Sequence, residues 1–185
     1  MEETKKISCI YVTSWGRYNE GIEGFGWFDL ADFDDFDDFM ELLKKKYNFS
    51  EALDGELVIH DYNDYEDLGL SELFGETYPK EVIDFYQEFS DLDDDEKLSF
   101  KGLQQTRSNK EALEALENGD LDDYMAFNEE GLSEYEEEWI ISHFESAKSY
   151  EAIYNYLDWK YIRREILWDF SEFKVGNVTY YIRNN

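Results

Sequence analysis

The chain has 185 residues, with 46 Asp plus Glu against 17 Lys plus Arg and a formal net charge of −29. Charge of one sign at this density usually marks a disordered tail, yet 42% of the residues are hydrophobic and 18% aromatic, so the chain is expected to fold against its own repulsion. A polyanion is repelled by nucleic-acid phosphates and by anionic lipid, which argues against direct nucleic-acid binding and membrane attachment and implies a positively charged partner.

Ile7 to Trp15 alternates and is rich in β-formers, which predicts a strand. Gly16 to Gly21 reads as a turn, and Ile22 to Leu30 as the return strand of a hairpin. Trp27 to Tyr47 is the densest acidic–aromatic stretch. Phe33, Phe36 and Phe39 recur every three residues and, with Met40 and Leu43, predict one buried stripe of a helix over Asp34 to Lys46. Its acids lie early and Lys44, Lys45 and Lys46 late, the order that complements the helix dipole. Glu56 to Tyr62 reads as a third strand. Residues 1–62 are thus expected to form a small antiparallel sheet with one helix.

From 63 to 118 the signals are helical and predict a bundle of four short helices: Asp67 to Phe74, Pro79 to Phe89, Asp91 to Leu103 and Asn109 to Glu117. Pro79, the sole proline, suits a first helical position. Residues 119–185 read as a mixed part. A strand is expected at Tyr124 to Asn128 and a helix over Ser133 to Phe144, with Ser133 and Glu136 as a capping box. Helix follows within Ser149 to Leu167, then a hairpin of Phe170 to Val175 and Val178 to Arg183 around Gly176-Asn177. The class is therefore α+β in three parts.

Catalytic and metal-binding patterns are missing. His60 and His143 are far apart and read as structural, and no Cys-x-x-Cys, His-x-x-x-His, Walker or nucleophile-elbow pattern occurs. Asp32 to Asp38 and Asp91 to Asp95 invite a calcium loop, but neither has the glycine that an EF-hand requires. No metal, cofactor or catalytic residue is expected; a carboxylate-based, metal-dependent enzyme is the competing class. The lone Cys9 excludes an intramolecular disulfide and fits a reducing compartment. Met1 to Lys6 is charged with no apolar run after it, and no stretch approaches membrane-spanning length, so a cytoplasmic protein is expected.

What remains is the geometry of charge. One helical turn rises about 5.4 Å, so carboxylates at i, i+3, i+4 and i+7 recur at a spacing near that of phosphates along a duplex strand. A rigid set of such carboxylates would compete for a DNA-binding groove. The candidate acids are Asp29, Asp32, Asp34, Asp35, Asp37, Asp38 and Glu41 around the opening helix; Asp61, Asp64, Glu66 and Asp67 after the third strand; Asp84, Glu88, Asp93 and Asp94 in the middle; and Glu134, Glu136 and Glu137 in the last part. Aromatic residues of the last part, Trp139, Tyr154 and Trp159 among them, are candidates for a dimer contact.

The motifs also resemble a known family. Ile10-Tyr11-Val12, Tyr18-Asn19-Glu20-Gly21, Gly26-Trp27-Phe28-Asp29-Leu30, the acidic–aromatic helix and Ile59-His60-Asp61-Tyr62 are similar to the ArdA antirestriction family of plasmids and conjugative transposons. Tyr156-Leu157-Asp158-Trp159, Tyr161 and Arg164-Glu165-Ile166 extend the resemblance toward the C-terminus. Leu167 to Phe173 departs from the family's usual ending, without its glycine. The resemblance implies an elongated three-part, non-enzymatic homodimer that imitates bent B-form DNA. It would occupy the DNA-binding groove of type I restriction-modification enzymes at their methyltransferase core. A CRISPR effector, another defence nuclease or a basic nucleoid protein is the alternative target.

Overall fold

The computed structural model describes residues 8–143 and 156–184. It forms two compact units, Met1–Leu92 and Asp93–Asn185, in an α+β arrangement with one small antiparallel sheet in each. The four helices expected between 63 and 118 fall two to each unit.

In the first unit, β1 (Cys9–Ser14) is the central strand between β2 (Gly26–Asp29) and β3 (Leu57–Asn63), antiparallel to both. Ile10 and Val12 turn into the core and are fully buried, with Ile10 opposite Phe28 and Val12 opposite Ile59. A register shift between Tyr11 and Val12 interrupts the β1–β3 ladder. The expected turn at Gly16 to Gly21 is instead a short helix, α1 (Trp15–Glu20). The Ser14 hydroxyl accepts from the Arg17 N–H at 3.1 Å, and Gly21 closes the helix in the left-handed conformation at φ 68°. The return strand is correspondingly shorter than expected. Gly24 precedes it where a Cβ would lie 3.0 Å from the Val12 carbonyl oxygen.

Helix α2 (Phe36–Lys46) begins two residues later than the periodicity suggests, because the Asp35 carboxylate caps it by accepting from the Asp38 N–H at 2.9 Å. Phe33 stands just before the helix and Phe39 within it. Their rings pack edge to face, 5.3 Å between centroids, and both meet Phe28 on the sheet. Phe33, Phe39 and Leu43 are buried, while Phe36 and Met40 are half-buried. A one-turn helix not anticipated from the sequence, α3 (Glu51–Asp54), leads into β3. After it, α4 (Leu70–Phe74) is shorter than expected. The Asp64 carboxylate accepts from the Leu68 and Leu70 N–H groups at 3.1 Å each, which shapes the segment before it. Helix α5 (Pro79–Asp91) starts on Pro79 as the sequence indicates and buries Val82, Ile83, Phe85, Tyr86 and Phe89 against α2 and β3.

The second unit opens with α6 (Asp94–Thr106), capped by Asp93 in a capping box with Glu96. Helix α7 (Asn109–Asn118) is capped by the Ser108 hydroxyl and closed by Gly119 at φ 70°. Strand β4 (Ala126–Asn128), helix α8 (Glu129–His143), helix α9 (Trp159–Leu167) and the hairpin β5 (Phe170–Val175) and β6 (Val178–Arg183) complete it, with β6 central in the order β4-β6-β5. Gly176, at φ 60°, makes the two-residue turn between Val175 and Val178 possible. Helix α6 lies so close to the sheet that a Cβ on Gly102 would sit 2.8 Å from Ile182 Cδ1.

Helix α8 corrects the expected capping box. It starts at Glu129, where Asn128 Oδ1 accepts from the Glu130 and Gly131 N–H groups at 3.0 Å. Ser133 is inside the helix, its hydroxyl donating to the Glu129 carbonyl, and Glu136 turns inward. Leu132, Ile166 and Phe170 form the centre of the core here, with Phe127, Tyr135, Trp139 and Ile162 around them. Of the helix expected within Ser149 to Leu167, residues 149–155 lie outside the described residues and α9 forms only Trp159–Leu167.

Candidate functional site

Most of the candidate acids share one property: the chain folds so that their carboxylates face water. Asp29, Asp32, Asp34, Asp35, Asp37, Asp38, Glu41, Asp61, Asp67, Asp84, Glu88, Asp93, Asp94, Glu134 and Glu137 are all exposed. The cause is amphipathicity. The longer helices turn an aromatic and aliphatic face to a core and leave most of their acids on the other.

Two helices carry their acids as rows. On α5, Glu81, Asp84, Glu88 and Asp91 are exposed at i, i+3, i+7 and i+10. On α8, Glu130, Glu134, Glu137 and Glu138 are exposed at i, i+4, i+7 and i+8. Neighbours at i+3 and i+4 stand about 5–6 Å apart. In the first unit the row on α5 adjoins the start of α2. Lys80 is ion-paired with Asp84, and its pKa is raised first by that hydrogen bond and further by the negative charges of Asp84, Asp37 and Asp35. The ring of Phe36 meets that of Tyr78 at 5.2 Å, and the Gln87 amide donates to the Phe33 carbonyl. The acidic end of α2 is thus fastened to α5 by several contacts.

Three further cations are ion-paired. Lys110 lies 2.7 Å from Glu114, Arg107 lies 3.6 Å from Glu111, and Arg163 is paired with Glu129. Each pairing neutralises a single acid and leaves the excess intact.

Three candidate acids are held inside the fold rather than at its surface. Asp64 accepts from the Ser8 hydroxyl at 3.2 Å besides the two backbone N–H groups, and Glu66 accepts from the Tyr86 hydroxyl at 2.9 Å; both are half-buried. Burial, then that bond to Glu66, push the Tyr86 pKa well up. Glu136 is buried with its Oε1 lacking a hydrogen bond, 3.6 Å from Arg163 Nε. Burial raises its pKa, against the pull of Arg163, and the nearby Glu129 charge adds to the rise.

One charged residue escaped the sequence reading. Asp54, fully buried, accepts from Arg17 Nε at 2.7 Å, from the Ser14 hydroxyl at 3.0 Å and from the Ser50 N–H at 2.8 Å. Burial acts to raise its pKa, but these hydrogen bonds and the guanidinium charge outweigh it and hold the carboxyl below the usual range. No local pattern marks Asp54; Arg17, the one arginine among residues 1–92, was the available hint.

Among the aromatic candidates, Trp139 is half-buried on the second core and stacks on His143 at 4.1 Å, and Trp159 is half-buried at the start of α9. Tyr154 lies outside the described residues. Among the described residues of this part, Tyr156, Tyr161 and Trp168 carry exposed rings. His60 stands 3.6 Å from Glu76 beside the Tyr18 ring, apart from any second histidine or the cysteine. Among the described residues no group of three or more His, Cys, Asp or Glu side chains is placed to hold a metal ion. Nor is any helix among them long and apolar enough to cross a membrane.

Comparison with known proteins supplies one match. The family described as antirestriction protein (ArdA) matches residues 10–179, which spans both units. No curated protein and no solved structure matches the chain. With nearly its whole length matched, the chain belongs to the ArdA antirestriction family, whose members act against restriction-modification enzymes.

Proposed function

We propose that this protein blocks restriction by imitating DNA, occupying the DNA-binding groove of a type I restriction-modification enzyme. The observation that carries the reading is the outward display of acids, in rows on α5 and α8 and around the start of α2, on helices packed against aromatic cores. A DNA-binding groove gains affinity by neutralising phosphates and releasing counterions. Carboxylates held at a comparable spacing offer the same groove a similar field, and because the scaffold is already folded little ordering entropy is lost on binding. The protein works without catalysis, in the cytoplasm, where entering DNA meets the enzyme. Fifteen of the acids singled out from the sequence supply the imitation phosphates, while Asp64, Glu66 and Glu136 support the scaffold. A homodimer is part of the same reading, with the exposed rings of the second unit available for it.

Competition decides the matter. Purified protein should displace labelled duplex from a type I enzyme, with an apparent affinity that falls steeply with salt. Failure to displace duplex, or displacement indifferent to salt, would refute mimicry. Displacement from an unrelated DNA-binding protein but not from the type I enzyme would move the target and keep the mechanism. Sedimentation over a range of salt concentrations tests the dimer, which repulsion should make tighter as salt rises.

A further inference from the structure

The second unit contains a cavity of about 420 Å³ whose walls and rim differ in character. Its walls include the rings of Tyr124, Phe127 and Tyr135. Phe127 and Tyr135 are stacked at 5.5 Å, and Phe127 and Phe170 meet at 5.1 Å behind them. Its rim carries Asp95 from α6, Asp122 from the turn before β4, and Glu134 and Glu138 from successive turns of α8, all exposed. Gly131 lets α8 approach β4 closely enough to form the cavity: a Cβ there would lie 2.8 Å from Phe127 Cβ.

We propose that this aromatic-walled, acid-rimmed cavity is a socket for a single arginine side chain presented by the basic surface of the protein partner. The occupant follows from complementarity. Four carboxylates around a hole partly walled by rings select a cation, and aromatic faces select one that tolerates partial desolvation. The carboxylates come from separate elements and are not arranged as a metal cage, which favours an extended organic cation over a metal ion. Guanidinium is planar, weakly hydrated and stacks on rings, whereas ammonium is compact and strongly hydrated. The fold already uses this preference, with the Arg107 guanidinium lying 5.1 Å from the centre of the Tyr124 ring, Arg17 4.1 Å from that of Phe25 and Arg164 5.0 Å from that of Tyr161. The socket would turn a diffuse electrostatic attraction into a docking point of defined register. Only the identity of the partner rests on the mimicry reading; the preference of the socket for guanidinium does not.

Hexa-arginine and hexa-lysine peptides, carrying an uncharged dye, test it by fluorescence anisotropy at about 0.15 M ionic strength. The wild-type protein should bind the arginine peptide about three- to tenfold more tightly than the lysine peptide. Glu134→Gln with Glu138→Gln should weaken the arginine peptide about five- to tenfold, whereas the charge-matched pair Glu56→Gln with Glu117→Gln should weaken it less than about twofold. Tyr135→Leu should erase the preference for arginine. Should that variant fold poorly by circular dichroism, Met125→Lys replaces it: the residue is exposed on the cavity wall, and its ammonium should occupy the socket and abolish the preference. Equal binding of the two peptides by wild type, equal losses in both double variants, or full displacement of the arginine peptide by equimolar spermidine would each overturn the socket. A separate arm measures displacement of duplex from a type I enzyme. If wild type fails there while the peptide preference holds, mimicry fails and the socket stands; if wild type succeeds there without a peptide preference, the reverse holds.

Discussion

Replacing Asp54 with alanine tests whether the display surface and its scaffold are separable. The side chain is fully buried and accepts from Arg17, Ser14 and Ser50, so it ties α1, α3 and the end of β1 together. Asp54→Ala would leave the Arg17 guanidinium, 15% exposed, without its carboxylate. Removing one partner from a buried ion pair costs about 3–5 kcal/mol. In a chain of this size that lowers Tm by roughly 6–20 °C, at about 2–4 °C per kcal/mol. Because the folded-state pKa of Asp54 is depressed, its contribution is fully present above the unfolded value of about 3.9 and is lost as pH falls through the folded value. The gap between wild type and Asp54→Ala should therefore be constant from pH 8 to 5 and narrow only in more acidic solution. Thermal melts followed by circular dichroism at several pH values measure the gap. Since Asp54 contributes no surface charge, displacement of duplex per folded molecule should not change. A loss below about 1 kcal/mol, or a gap that widens toward acid, would refute the assignment of Asp54 as an ionised tie.

Three further outcomes are expected. Changing Asp32, Asp34, Asp37 and Asp38 together to asparagine should raise Tm through relief of repulsion, weaken enzyme binding about tenfold and flatten its salt dependence, whereas Asp35→Ala should cost about 1 kcal/mol of stability by removing the α2 cap; unchanged salt dependence in the quadruple variant would count against the charge display. Glu136→Gln should stabilise the protein by about 1 kcal/mol at pH 7 in urea unfolding, because the raised folded pKa means that ionisation above the unfolded value of about 4.3 costs stability. That gain should vanish below this value, and an equal gain at pH 7 and pH 4 would contradict it. Gly102→Ala should destabilise by about 1–3 kcal/mol despite alanine's better helix propensity, since the new methyl meets Ile182 and Phe173; a rise in Tm would show that the sheet yields easily.

Local chemistry made much of the fold legible. Ser108 caps α7 because a short acceptor side chain at that position reaches a free N–H three residues on, a relation contained within four residues of chain; Asp35 and Asp93 cap α2 and α6 in the same way, but those helices are expected two and three residues too early. Pro79 opens α5, and Gly176-Asn177 turns the last hairpin, for equally local reasons. The α1 segment was misread because its helix is one and a half turns long, with Trp15 and Tyr18 exposed, and so shows no apolar stripe. The start of α8 was misplaced because Ser133 and Glu136 match a capping pattern, while Asn128 offers an equivalent cap one turn earlier.

Residue order alone dictated that most acids would end up in water, since an aromatic period of three to four leaves the intervening positions on the opposite face of any helix that forms. It could not tell which few acids would go inside. A buried carboxylate is tolerable only beside a cation or donor that the chain brings from elsewhere, as Arg17 reaches Asp54 and Arg163 approaches Glu136. Those partners are remote in sequence, and so is the juxtaposition of α6, β4 and α8 that encloses the acid-rimmed cavity. Charge pattern is a property of neighbours along the chain, whereas burial is a property of neighbours in space; the display of acids belongs to the first, and the selection of its exceptions to the second.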